Sequence, residues 1–97
     1  MSVLIIIDLQ AKPGKGDELA AMFKAIVPDT RAFDGCEQVG VFRDQDDPDK
    51  MSIVETFTSR AHYDKYFNWR LERGDLGPLV ELIVEAPVPR FHDDIGA

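Results

Sequence analysis

The segment Val3–Gln10, VLIIIDLQ, carries apolar residues on both faces of a period-two pattern. Val3, Ile5, Ile7 and Leu9 lie on one side, Leu4 and Ile6 on the other, so it predicts a strand covered on both sides. The run Lys12–Gly16 is a turn, after which Leu19, Met22, Phe23 and Ile26 recur at helical spacing. Asp17 and Glu18 suit the N-terminal end of that helix. Pro28 ends or kinks it, with Thr30, Arg31 and Phe33 in a further turn, and Phe33–Gly35 is a stop. Cys36–Arg43 and Met51–Phe57 read as strands joined by the polar hairpin DQDDPDK. Ser59 is placed to cap a second helix over Arg60–Arg73, and Gly74 suits its left-handed end. Asp75 opens a short third helix to about Val84, with Pro78 in its first turn. An extended segment, Glu85–His92, comes last, and its two prolines confine it to a sheet edge.

The order is β-α-β-β-α-β, the ferredoxin-like split βαβ of the α+β class: a four-stranded antiparallel sheet with two main helices on one face. The other face is left bare, yet Leu4, Ile6 and Val54 are apolar there. A second copy, packed sheet against sheet, is the economical cover, so a homodimer is expected.

Ninety-seven residues make one domain, 1–97, which on its own buries only about two-thirds of its unfolded surface. A net charge of −7 opposes a phosphate backbone, so nucleic acid is not an expected partner. The run Val3–Ile7 is too short to span a membrane. The lone Cys36 excludes an internal disulfide and fits a reducing, cytoplasmic setting. The two histidines lack metal-ligand spacing, and the hairpin Asp44–Lys50 imitates a calcium loop only until Pro48 and Asp49 break it, so no metal is expected. The letters RGD at 73–75 resolve into a helix end, its glycine cap and the start of the next helix.

Three stretches carry a resemblance: AKPGKGDELAAMF (11–23), TRAFDGCEQVGVFRDQDDPDK (30–50) and SIVETFTSRAHYDKY (52–66). With the elements in this order, the chain resembles the antibiotic biosynthesis monooxygenase-like domains of the dimeric α+β barrel superfamily. The resemblance implies a homodimer with a cavity in each subunit between helices and sheet. It also implies a cofactor-independent oxidation of a quinol or polyketide-type phenol, in which the substrate's anion gives electrons to O2. The departures are Phe57 where many members have Trp and Tyr66 where many have His. Haem-degrading relatives use an Asn, Trp and His set that this chain does not reproduce.

The second helix holds the candidate site. At 100° per residue, Tyr63, Phe67 and Leu71 span about 80° and make the expected core stripe. His62, Tyr66, Trp69 and Arg73 share a separate arc of about 60°. That stripe offers His62 for proton transfer and Trp69 and Tyr66 as a stacking wall, with Arg70 or Arg73 to offset an anion and Phe57 nearby. The alternative is that Trp69 and Tyr66 pack under the third helix or a partner while His62 and Arg73 reach solvent. Asp8 is read as the point where the first strand emerges into water, and Glu55 as an ion-pair partner of an arginine such as Arg43. Two functions remain: an aromatic monooxygenase, or a non-catalytic binding or stress-associated protein of the same fold.

Overall fold

The structure is a computed structural model that describes residues 2–97. The chain runs β1 (Val3–Gln10), α1 (Gly16–Ala32), β2 (Cys36–Arg43), β3 (Lys50–Phe57), α2 (Arg60–Arg73), α3 (Leu76–Leu82) and β4 (Arg90–His92). The four strands form one sheet in the order β2-β3-β1-β4, with every pair antiparallel. This is the split βαβ arrangement read from the sequence.

Strand β1 lies in the interior of the sheet, and its two apolar faces meet different surroundings. Val3, Ile5, Ile7 and Leu9 are buried under the helices, joined by Met51 and Phe57 of β3, Leu19 and Phe23 of α1, and Tyr63 of α2. On the opposite face Leu4, Ile6 and Val54 are only half-buried. Phe42 is 60% exposed there, its ring lying over Gly40. Asp8 emerges on that side, accepting from Ser52 Oγ at 2.6 Å and pairing with Arg90 at 3.0 Å.

Several local expectations give way to tertiary contacts. Helix α1 continues through Pro28 to Ala32. Its first turn is capped from a distance: the Asp49 carboxylate in the β2–β3 hairpin accepts from the N–H groups of Gly14 at 3.1 Å and Gly16 at 2.9 Å. Within that hairpin Asp44 accepts from the backbone of Asp46 and Asp47, so the acidic loop spends carboxylates on its own turn. Among the described residues no cluster of acidic, His or Cys side chains could hold a metal. Ser59 does cap α2, accepting from His62 N–H at 3.1 Å, and Gly74 ends it at φ 75°. Asp75 makes no side-chain cap on α3; its carboxylate takes Arg70 and Arg73 instead. The last strand is shorter than expected, since Pro87 and Pro89 leave only Arg90–His92 free to pair with β1.

Candidate functional site

A cavity of about 260 Å3 lies between the helical face of the sheet and the three helices. Its floor is Ile7, Leu9, Val39, Val41 and Ile53, because alternate residues of β1, β2 and β3 point the same way. Phe23, Ile26 and Val27 of α1 and Leu76, Leu79 and Val80 of α3 form apolar walls. Phe67, Ala86, Pro87 and Pro89 close the side nearest the extended tail.

Besides Tyr63, four polar side chains line this space: Thr30, Glu55, Tyr66 and Arg70. Three of them form a closed network. Arg70, 2% exposed, donates from Nε to Tyr66 Oη at 3.1 Å and from Nη2 to Thr30 Oγ1 and the Ile26 carbonyl, both at 2.8 Å. Its Nη1 donates to Asp75 at 2.8 Å, and the Thr30 and Tyr66 hydroxyls share a further bond of 2.7 Å. One guanidinium thus ties α2 to α1 and to the start of α3. Burial opposes its charge, but the bonds to Tyr66 and Asp75 outweigh this and hold its pKa above the ordinary value. Burial likewise raises the Tyr66 phenol, against the lowering effect of Thr30 and Arg70.

Glu55 is the fourth, and it stands alone. It is 3% exposed, in register with Ile5 on one side and Val39 on the other. Its pKa is pushed up to about 7 by burial, with the positive field of Arg70 acting in the opposite direction and no hydrogen bond contributing. The expected ion pair with Arg43 does not form: Arg43 turns outward to Asp17 at 3.1 Å and to the Gly16 carbonyl at 2.9 Å.

The sequence-predicted residues divide around this cavity. Tyr66 and Arg70 line it. Phe57 is fully buried beneath it, packing its ring on Tyr63 at 5.4 Å and Tyr66 at 5.3 Å. Trp69 lies outside, held between Phe33 at 5.0 Å and the guanidiniums of Arg70 and Arg73, each 4.7 Å from its ring. Arg73 is exposed and shares Asp75 with Arg70. His62 sits at the α2 N-terminus, its Nδ1 2.7 Å from Ser59 Oγ, against Gly35, where φ is 90° and a Cβ would come within 2.6 Å of the imidazole. The arc of His62, Tyr66, Trp69 and Arg73 therefore does not face one pocket. The expected core stripe is also displaced: Phe67 is 38% and Leu71 51% exposed, and the buried side runs through Tyr63 and Arg70. Glu55, Thr30 and Tyr63 are the polar cavity residues that the sequence reading did not assign to a site. The signal for Glu55 was its inward register between Ile53 and Phe57.

Residues 2–69 match the sequence profile of the family described as antibiotic biosynthesis monooxygenase. The chain belongs to that family. Solved structures agree on the fold of this monooxygenase-family chain. One described as an antibiotic biosynthesis monooxygenase superposes with a TM-score of 0.85 at 19% identity, covering 96% of this chain and 98% of the other. A conserved protein from Methanosarcina mazei Go1 gives 0.84 at 17% identity, covering 95% and 91%. A Deinococcus radiodurans protein, provisionally assigned as an antibiotic biosynthesis monooxygenase, gives 0.84 at 19% identity, covering 98% and 94%. No curated protein matches the sequence. Among the described residues no helix is long and apolar enough to cross a membrane.

Proposed function

We propose that this chain is a small monooxygenase that oxidises an aromatic quinol or polyketide-type phenol with O2 in the cavity between sheet and helices. One observation carries the reading: in a chain of this family, a partly open, apolar space of about 260 Å3 holds a single carboxyl without a hydrogen-bond partner. Apolar walls exclude water from an aromatic ring, and a few polar groups fix its orientation. The Arg70 charge, locked in place by Thr30, Tyr66 and Asp75, favours an anion in the cavity without any rearrangement. In the proposed reaction a ring carbon bearing hydrogen takes one oxygen atom as a carbonyl, and the other oxygen leaves as water. The substrate itself supplies the electrons. The reading places the site at Glu55, Tyr66 and Arg70, and gives Phe57, Trp69, His62 and Arg73 the task of holding α2 in position. It includes a homodimer and a reducing, cytoplasmic setting.

Oxygen consumption with reduced naphthoquinone and a panel of phenols tests it. The expected product has gained one oxygen atom and lost two hydrogens, with one O2 consumed per turnover. A second reading, a binding protein without turnover, is favoured by the way Thr30, Tyr66 and Arg70 spend their hydrogen bonds on one another. It predicts aromatic ligands that raise the melting temperature and are recovered unchanged. Ligand binding with no oxygen uptake above the uncatalysed rate across the panel would decide for that second reading.

A further inference from the structure

Glu55 is buried in a way that the fold does not use. A carboxyl taken out of water costs several kcal/mol unless an arginine or backbone N–H groups compensate, and an apolar side chain of similar size would be the cheaper occupant. Its neighbours in register, Ile5 and Val39, offer no donor from their side chains. Arg43 is engaged at the start of α1, and Arg70 directs its bonds to Thr30, Tyr66, Asp75 and the Ile26 carbonyl. Arg70 acts on Glu55 through its field alone. The alternation of β3 aims positions 53 and 55 into the cavity, where the carboxyl is the one group left with capacity to take a proton. The other titratable side chains at the cavity are poorly suited: the Tyr63 and Tyr66 phenols are both raised, first by burial. His62 lies outside, beside Gly35.

We infer that Glu55 is the proton acceptor of this site, taking the hydroxyl proton of a phenol or hydroquinone bound in the cavity; the inference rests on the cavity reading above. In this step the substrate O–H bond breaks and an O–H bond forms on the carboxylate. The electron pair stays on the phenolate oxygen and delocalises into the ring. One negative charge moves from Glu55 to the substrate, so the total charge in the cavity is unchanged and Arg70 stabilises both states. The phenolate then reduces O2, and recombination forms a peroxide anion at a ring carbon that still bears hydrogen. Glu55 returns its proton to the outer peroxide oxygen, which restores the carboxylate. The carbon-bound proton and the hydroxide then leave together as water, and the ring carbon becomes a carbonyl. Burial also holds Glu55 near pH 7, where an acid–base group exchanges protons most effectively.

Two measurements test the assignment, one of which needs no turnover. Infrared difference spectra are taken without oxygen on binding 4-cyanophenol at pH 7.5, where most of the free probe keeps its hydroxyl proton. A protonated-carboxyl band should appear in the parent and be absent in Glu55→Gln. Oxygen uptake with reduced naphthoquinone provides the second readout. Glu55→Gln should lower kcat at least about 100-fold with little change in KM, and should abolish the limb of the pH profile that rises through about 7. Glu55→Asp should restore part of the rate. Circular dichroism checks the fold of each variant, and the neutral amide relieves a buried charge. Probe binding without the carboxyl band, or a Glu55→Gln rate within about threefold of the parent, overturns the role of Glu55 and leaves the cavity reading intact. No binding by any phenol removes the cavity reading and this inference with it.

Discussion

The environment of Glu55 makes a thermodynamic demand that is separate from catalysis. In the unfolded chain its carboxyl titrates at the ordinary value of 4.5, whereas in the folded protein it does so at about 7. Between these values the native state holds a proton that the unfolded state has released. Stability therefore falls as pH rises through this window and levels off above it. The full effect is about 3 kcal/mol. Glu55→Gln should match the parent near pH 4.5 and exceed its stability by about that amount at pH 8 in urea denaturation. An equal gap at both pH values would contradict the burial argument. The sequence reading had Glu55 on the inward face of β3 but supplied a partner, Arg43, that the fold turns outward to Asp17. Trp69 shows the converse: its chemistry looked suited to a ligand, and the structure fills its surroundings with Phe33 and two guanidiniums.

At the scale of an element, α2 shows why helical periodicity stops short of choosing a buried face. The sequence separates Tyr63, Phe67 and Leu71 from the arc of His62, Tyr66, Trp69 and Arg73, but α1 and α3 decide what each side meets. The most buried side chain of the helix is an arginine, because Ile26 and Thr30 of α1 and Asp75 before α3 all present acceptors to it. Arg70→Leu would leave Asp75 with Arg73 alone and the Thr30 and Tyr66 hydroxyls with only the bond they share. It should cost about 3 kcal/mol or more, read as a shift of the denaturation midpoint. A loss below about 1 kcal/mol would mean that these three groups find water or other partners. Strand β1, the α2 cap and the helix-ending Gly74 were legible in the sequence because each depends on residues close in the chain. The cap on α1 was not, since Asp49 lies more than thirty positions from the N–H groups it serves.

For the whole molecule, the sheet has one face committed to the helices and one exposed. Leu4, Ile6 and Val54 make the exposed face apolar at its centre, with Phe42 on the edge strand β2, while Asp8, Ser52 and Arg90 mark one border. A second copy packed on this face is the proposed assembly. Light scattering at micromolar concentration should give twice the chain mass, and Val54→Lys should give a folded monomer because it places a charge where the two sheets would meet. A parent protein that scatters as a monomer would sink the proposal. The sequence by itself determined the element order and the antiparallel split βαβ architecture, because period-two and helical patterns, prolines and glycines act over a few residues. The family was legible through the resemblance carried by residues 11–23, 30–50 and 52–66. Only the tertiary structure decided which side of α2 is buried, that the stripe of His62, Tyr66, Trp69 and Arg73 does not converge, and that Glu55 reaches the cavity without a partner. Those outcomes depend on which donors and acceptors distant segments bring to the same point. A one-dimensional pattern encodes orientation within an element but not the neighbours waiting there.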